Sequence, residues 1–156
     1  MMYDTDFVGW AEQQAALLTK RRFDLLDLEN LIEEVEDLAG RHRDALESHL
    51  RIALIHLLKL AYTQGSRDPE RGWQLSARDA RTLARRCLRK HPSLQAHLER
   101  LHAEAYIDAA EDADREITDF GDTHAPFPES CPWTIGEVLD EAFLPEVHVD
   151  EIRGEG

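Results

Sequence analysis

Glu29, Glu33 and Asp37 recur every four residues with Glu36 alongside, so a helix through this segment carries a ladder of carboxylates on one side. Like charges at that spacing oppose one another by roughly 0.2–0.5 kcal/mol per pair. Three readings follow: a solvated acidic face, a partner built of arginines, or a divalent metal ion. An arginine stripe is present. Arg78, Arg81, Arg85 and Arg89 fall at three- and four-residue spacing, with Arg86 and Lys90 nearby, and guanidinium forks grip carboxylates bidentately. The same stripe can hold nucleic-acid phosphates. No aromatic residues interleave with it, however, and a net charge of -14 repels phosphate, so nucleic acid is the disfavoured partner.

The histidines raise the question of a metal. His42, His49 and His56 repeat every seven residues, which spaces them roughly 10 Å apart along a straight helix, too far to share an ion. Glu99 and His102 form a Glu-x-x-His pair of the kind that di-iron four-helix proteins use twice, with further inward carboxylates. No second pair occurs, so the expectation is no metal and no cofactor, with Glu99 and His102 as the alternative. Cys131 precedes a proline, Ser130 lacks a Gly-x-Ser-x-Gly elbow, and no glycine-rich phosphate loop is present. Nucleophilic and nucleotide chemistry therefore find no support.

His56 and Lys59 interrupt the otherwise apolar run from Ile52 to Leu60, where uncompensated burial is costly. The reading is a buried polar network with Asn30, Glu33 and Glu34 of a neighbouring helix, which fixes helix register. A straight helix holds Asn30 and His56 about 39 Å apart. The network therefore needs either a second subunit or a chain that breaks and folds back.

The elements that must position these groups are helical. Apolar residues at Phe7, Trp10, Ala11, Leu17 and Leu18, with Gln14 among them, mark a first helix that Asp4 or Thr5 can cap. Asp27 caps a second helix. Its stripe of Leu28, Leu31, Val35, Leu38, Leu46, Leu50, Ala53, Leu57 and Leu60 stays in phase across Gly40, which predicts one long helix over about 28–63. A loop over 64–72 leads to a third helix with Trp73, Ala77, Ala80, Leu83, Ala84, Cys87 and Leu88 on its inner side. His91-Pro92-Ser93 separates it from a fourth, faced by Leu94, Leu98, Leu101, Ala105 and Ala109. Residues 118–133 read as irregular, and Thr134 with Glu137 forms a capping box for a short last helix. Strand signals are confined to Val147-His148-Val149.

At 156 residues, 42% hydrophobic, the chain is large enough for one core and too apolar for a disordered polymer. The longest apolar run is far short of a membrane span, and the acidic start lacks the cationic flank of a secretory signal. Two cysteines without a CxxC spacing read as reduced thiols. The expectation is a cytoplasmic protein with no membrane partner. Charge is segregated: residues 1–40 carry -7, residues 41–100 carry +7 and residues 101–156 carry -14.

Several blocks carry a resemblance. Trp10-Ala11-Glu12-Gln13-Gln14, the run from Leu26 to Leu38, and His56-Leu57-Leu58-Lys59 are joined by Pro92-Ser93-Leu94, Ala105-Tyr106, Phe127-Pro128-Glu129 and Cys131-Pro132-Trp133. In this order, over about residues 4–146, they resemble the bacterial Domain of Unknown Function 29 family. The resemblance implies an all-helical bacterial cytoplasmic protein and supplies no activity.

Together these readings give an all-α helical bundle with one long central helix, three further main helices and a short C-terminal helix. Residues 1–146 form a single domain and 147–156 an acidic tail. The expected function is a non-enzymatic interaction or assembly protein that self-associates through helices, as a homodimer or with another protein. The alternatives are a metal-dependent enzyme using Glu99 and His102, and a regulator that contacts nucleic acid through the arginine stripe.

Overall fold

The computed structural model describes residues 2–148. Among these it holds α1 (Met2–Thr5), α2 (Phe7–Thr19), α3 (Leu28–Tyr62), α4 (Glu70–Lys90), α5 (Leu98–Asp119) and α6 (Ile135–Leu139). The protein is all-α, with the long helix, three further main helices and a short last one. α3 runs 35 residues without a break, about 52 Å at 1.5 Å per residue. Gly40 costs about 1 kcal/mol relative to alanine but does not end the helix. No helix among the described residues is long and apolar enough to cross a membrane.

The chain divides into two compact units, one through Arg41 and one from His42 onward, and α3 contributes to both. In the first unit, Met2–Thr5 forms a turn of its own, so neither Asp4 nor Thr5 caps the next helix. Asp6 does, its side chain accepting from the Gly9 amide at 3.0 Å. α2 closes in a Schellman pattern, with the Arg21 amide on Leu18 O and the Arg22 amide on Leu17 O. Arg21 takes the left-handed conformation there, at φ 56°. Asp27 ties α2 to α3. Its amide donates to Gln14 Oε1 at 2.8 Å, and its carboxylate accepts from Trp10 Nε1 and Asn30 Nδ2. The Asn30 bond first, and then that of Trp10, hold the Asp27 carboxyl below its ordinary pKa.

In the second unit, α3 supplies Leu46, Leu50, Ala53, Leu54, Leu57, Leu58 and Ala61 to the core. Small residues of α4 (Ala77, Ala80, Ala84) and of α5 (Ala105, Ala109) complete it, with Leu98, Leu101 and Tyr106. The stretch that is apolar all round is thus buried on nearly every side, as such a pattern requires. Arg67 joins two helix ends, donating to Leu60 O in the last turn of α3 and to Glu70 in the first turn of α4.

Three local differences from the sequence reading stand out. Glu70, not Trp73, opens α4. Pro92–His97 is a 3₁₀ turn rather than the start of an α-helix. Within the segment expected to be irregular, β2 (Thr123–His124) pairs antiparallel with β1 (Thr63–Gln64). Two-residue strands carry no periodicity, so the sequence could not announce them. The Thr134–Glu137 capping box is present in both directions. Of the C-terminal segment, the His148 amide donates to Ala61 O and its ring stacks on Tyr62. Val149 and the rest of the expected acidic tail lie outside the described residues.

Candidate functional site

The residues of the anticipated polar network fall into two sets, one in each unit. In the first unit, Asn30 donates to Asp27, and Glu34 accepts from the Tyr3 hydroxyl at 2.6 Å. That bond, followed by desolvation and the charge of Glu34, raises the Tyr3 pKa to about 12. Glu33 is exposed. In the second unit, Lys59 pairs with Glu116 across to α5. His56 is half-buried with no partner for Nδ1. Burial, reinforced by Lys59 and opposed by Glu116, lowers its pKa to about 4, so the imidazole is neutral. Because α3 is unbroken, 26 helical positions separate Asn30 from His56.

The arginine stripe is not one surface. Arg78 and Arg89 are exposed, and Arg85 reaches Glu141 at 3.3 Å. Arg81 is 2% exposed. Its Nε donates to Val138 O at 2.7 Å and its guanidinium lies over Phe143, but Nη2 has no partner. Small alanines on either side let this guanidinium sink into the core, and a carbonyl at the end of α6 gives it somewhere to go. Arg81 cannot grip an external phosphate from there.

Of the seven-residue histidines, His42 packs against His91 with ring centroids 4.0 Å apart and the rings tilted by 34°, and burial lowers the pKa of His49. Glu99 is exposed and His102 buried, at 7% exposure. Among the described residues, no three His, Cys, Asp or Glu side chains are placed to hold a metal ion. Glu99 and His102 instead line a cleft of about 460 Å³ between α5 and the loop that enters α6. Tyr106, Ile107, Glu129, Cys131 and Trp133 are among its other walls. The Tyr106 hydroxyl is committed to Pro128 O at 2.5 Å. Burial holds the Cys131 thiol above its usual pKa, so the thiolate needed for nucleophilic attack is disfavoured. Sequence reading missed this cleft: Tyr106 and Trp133 are indeed core aromatics, 2% and 9% exposed, and the cleft exists only once the loop over 127–134 folds against α5.

The first unit presents a different feature. Only Trp10 and Gln14 of its described side chains are buried. Tyr3 meets Phe7 and Trp10 edge to face, and Phe7 and Trp10 lie tilted against each other; Leu17, Leu26 and Leu31 are half-buried, while other large apolar residues stand open. Leu28, Ile32, Val35 and Leu38 are 56%, 57%, 62% and 56% exposed along successive turns of α3. Phe23 and Leu25 lead into them, also exposed. Ten of the seventeen exposed large hydrophobic residues among those described belong to residues 2–38.

Comparison with known proteins gives one finding. Residues 2–144 match a family described as a domain of unknown function, DUF29. No curated protein and no solved structure matches the chain.

Proposed function

The chain belongs to the DUF29 family, and from that premise we propose that it is a non-enzymatic assembly protein, self-associating through the first part of α3. One observation carries this reading. Four large apolar side chains in a row, each more than half exposed, occupy a helix face that an isolated molecule leaves in water. Covering a Leu, Ile or Val side chain is worth about 1.5–3 kcal/mol, and contiguous apolar patches of this kind mark interaction surfaces.

Charge selects the occupant and its direction. Carboxylates occupy positions 29, 33, 34, 36 and 37 of α3, and Arg41 and Arg43 follow. Two copies running parallel bring like ladders together. Two copies running antiparallel bring the acidic end of each against the arginines of the other, and form the self-complementary contact of a two-fold dimer. A second copy of this chain, antiparallel, therefore satisfies both the apolar stripe and the charges beside it.

Sedimentation equilibrium of the full chain tests this. A dimer is expected at micromolar concentration, and Ile32→Asp with Val35→Asp should yield a monomer of unchanged helical content. A wild-type monomer that captures no second copy overturns the reading, as does a dimer indifferent to both substitutions.

A further inference from the structure

We propose that His124 is a proton-dependent latch: with a proton on both ring nitrogens it ties β2 to α5, and loss of one proton releases the Asp114 side. The proposal is independent of self-association, because every residue in it belongs to the second unit.

The geometry fixes the proton count. His124 Nδ1 lies 2.7 Å from Ala125 O, and Nε2 lies 2.7 Å from Asp114 Oδ1. A backbone carbonyl and a carboxylate only accept hydrogen bonds, whereas a neutral imidazole has one N–H and one lone pair. In either neutral tautomer one nitrogen sets its lone pair against an oxygen at hydrogen-bond distance. Only the doubly protonated ring makes both bonds. The ring also lies flat on Phe127, with centroids 4.0 Å apart and planes 8° apart, a face that suits a cation.

The charges around the ring have one sign. β2 packs against α5 and β1. β1 brings Thr63 and Gln64, neither of them charged. α5 brings Asp114, with Glu111 one turn before it, and Asp122 stands two residues ahead of His124. The cations on the adjoining helices, Lys59 and Arg115, pair with Glu116 and Asp112.

The latch acts on the ribbon that closes the end of α3. Thr63 is the register partner of His124, and the Ala125 amide donates to Tyr62 O at 2.9 Å. The two ring contacts differ in what can give way. Ala125 is fixed through its amide to α3, whereas the Asp114 side chain is 63% exposed and can turn to water. A neutral ring therefore keeps Nδ1–H on Ala125 O and gives up Asp114.

The test is a pH titration of the full chain, in which nuclear magnetic resonance reads the two ring nitrogens of His124 and hydrogen exchange reads the Ala125 amide. The doubly protonated ring is expected first, followed on raising the pH by loss of the proton from Nε2 alone. In the same step the Ala125 protection factor should fall about two- to fivefold, the scale of an exposed ion pair. Asp114→Asn separates the latch from a merely structural contact. Its side-chain amide can either accept from Nε2 or donate to it, so a neutral ring makes both bonds and Ala125 should stay protected throughout. A neutral form protonated on Nε2 alone, no doubly protonated ring while the fold persists, protection that ignores the ring proton, or an Asp114→Asn variant with the parent's pH dependence overturns the proposal.

Discussion

Arg81 Nε donates to the carbonyl of Val138, so a guanidinium inside the core holds the end of α6, 57 residues further along the chain. Burial pulls the Arg81 pKa below its ordinary value, Asp140 and Glu141 counter this, and Arg85 adds to it. Arg81→Ala leaves a void and an unpaired carbonyl, with an expected loss of about 3 kcal/mol. Arg81→Met, which fills most of the space, should lose less. Arg78→Ala and Arg89→Ala, on the exposed side, should stay within about 0.5 kcal/mol of the parent. Urea unfolding of the four variants checks the order, and equal effects at positions 78 and 81 would refute it.

Arg21 and Gly121 occupy the same position in two Schellman closes, those of α2 and α5, at φ 56° and 84°. Left-handed backbone costs a side-chain-bearing residue roughly 1 kcal/mol and glycine almost nothing. Arg21→Gly should therefore stabilise the protein by up to about 1 kcal/mol, and Gly121→Ala should destabilise it by a similar amount. Thermal melting reads both, and opposite signs are the required result.

His56 makes stability depend on acid. Its folded pKa of about 4 lies below the ordinary 6.5, so the unfolded chain takes up a proton before the folded one does. Its contribution is complete above about pH 6.5 and fades as the pH falls toward 4. The loss is on the order of 2–3 kcal/mol. His56→Leu removes the unpartnered Nδ1 and should flatten this part of the pH profile while leaving the fold intact or more stable. A variant with the same acid sensitivity as the parent would show that another group is responsible.

Glu47 acts in the opposite direction. Burial first, then Glu104, Asp108 and Asp44, raise its pKa, with Arg51 lowering it. The folded state holds this proton more tightly than the unfolded one. The advantage is present at low pH and is lost as the pH rises through the folded pKa. Glu47→Gln should stabilise the protein at neutral pH by a few tenths of a kcal/mol, the scale of like-charge pairs on helices. Chemical denaturation at two pH values reads the change, and a gain that is larger at acid pH would contradict it.

The elements were legible because their signals are local. Helical spacing of leucines across Gly40, proline at position 92 and the Thr134–Glu137 box each act within one or two turns, and each appears close to where the spacing puts it. The candidate site was legible only in fragments. Glu99 and His102 were visible as a pair, but the cleft they line is completed by a loop some thirty residues downstream that supplies Glu129, Cys131 and Trp133.

The amino-acid order by itself determined where α3 begins and ends and which of its residues share a face. It did not determine what that face meets. Leu28 to Leu38 and Leu46 to Leu60 continue a single apolar stripe, yet the first part is open and the second sealed. The same holds for Arg78 and Arg81, three residues apart on α4, one in solvent and one in the core. Periodicity assigns a side of a helix, whereas burial is assigned by whatever distant residues lie against that side. That choice belongs to the tertiary structure alone.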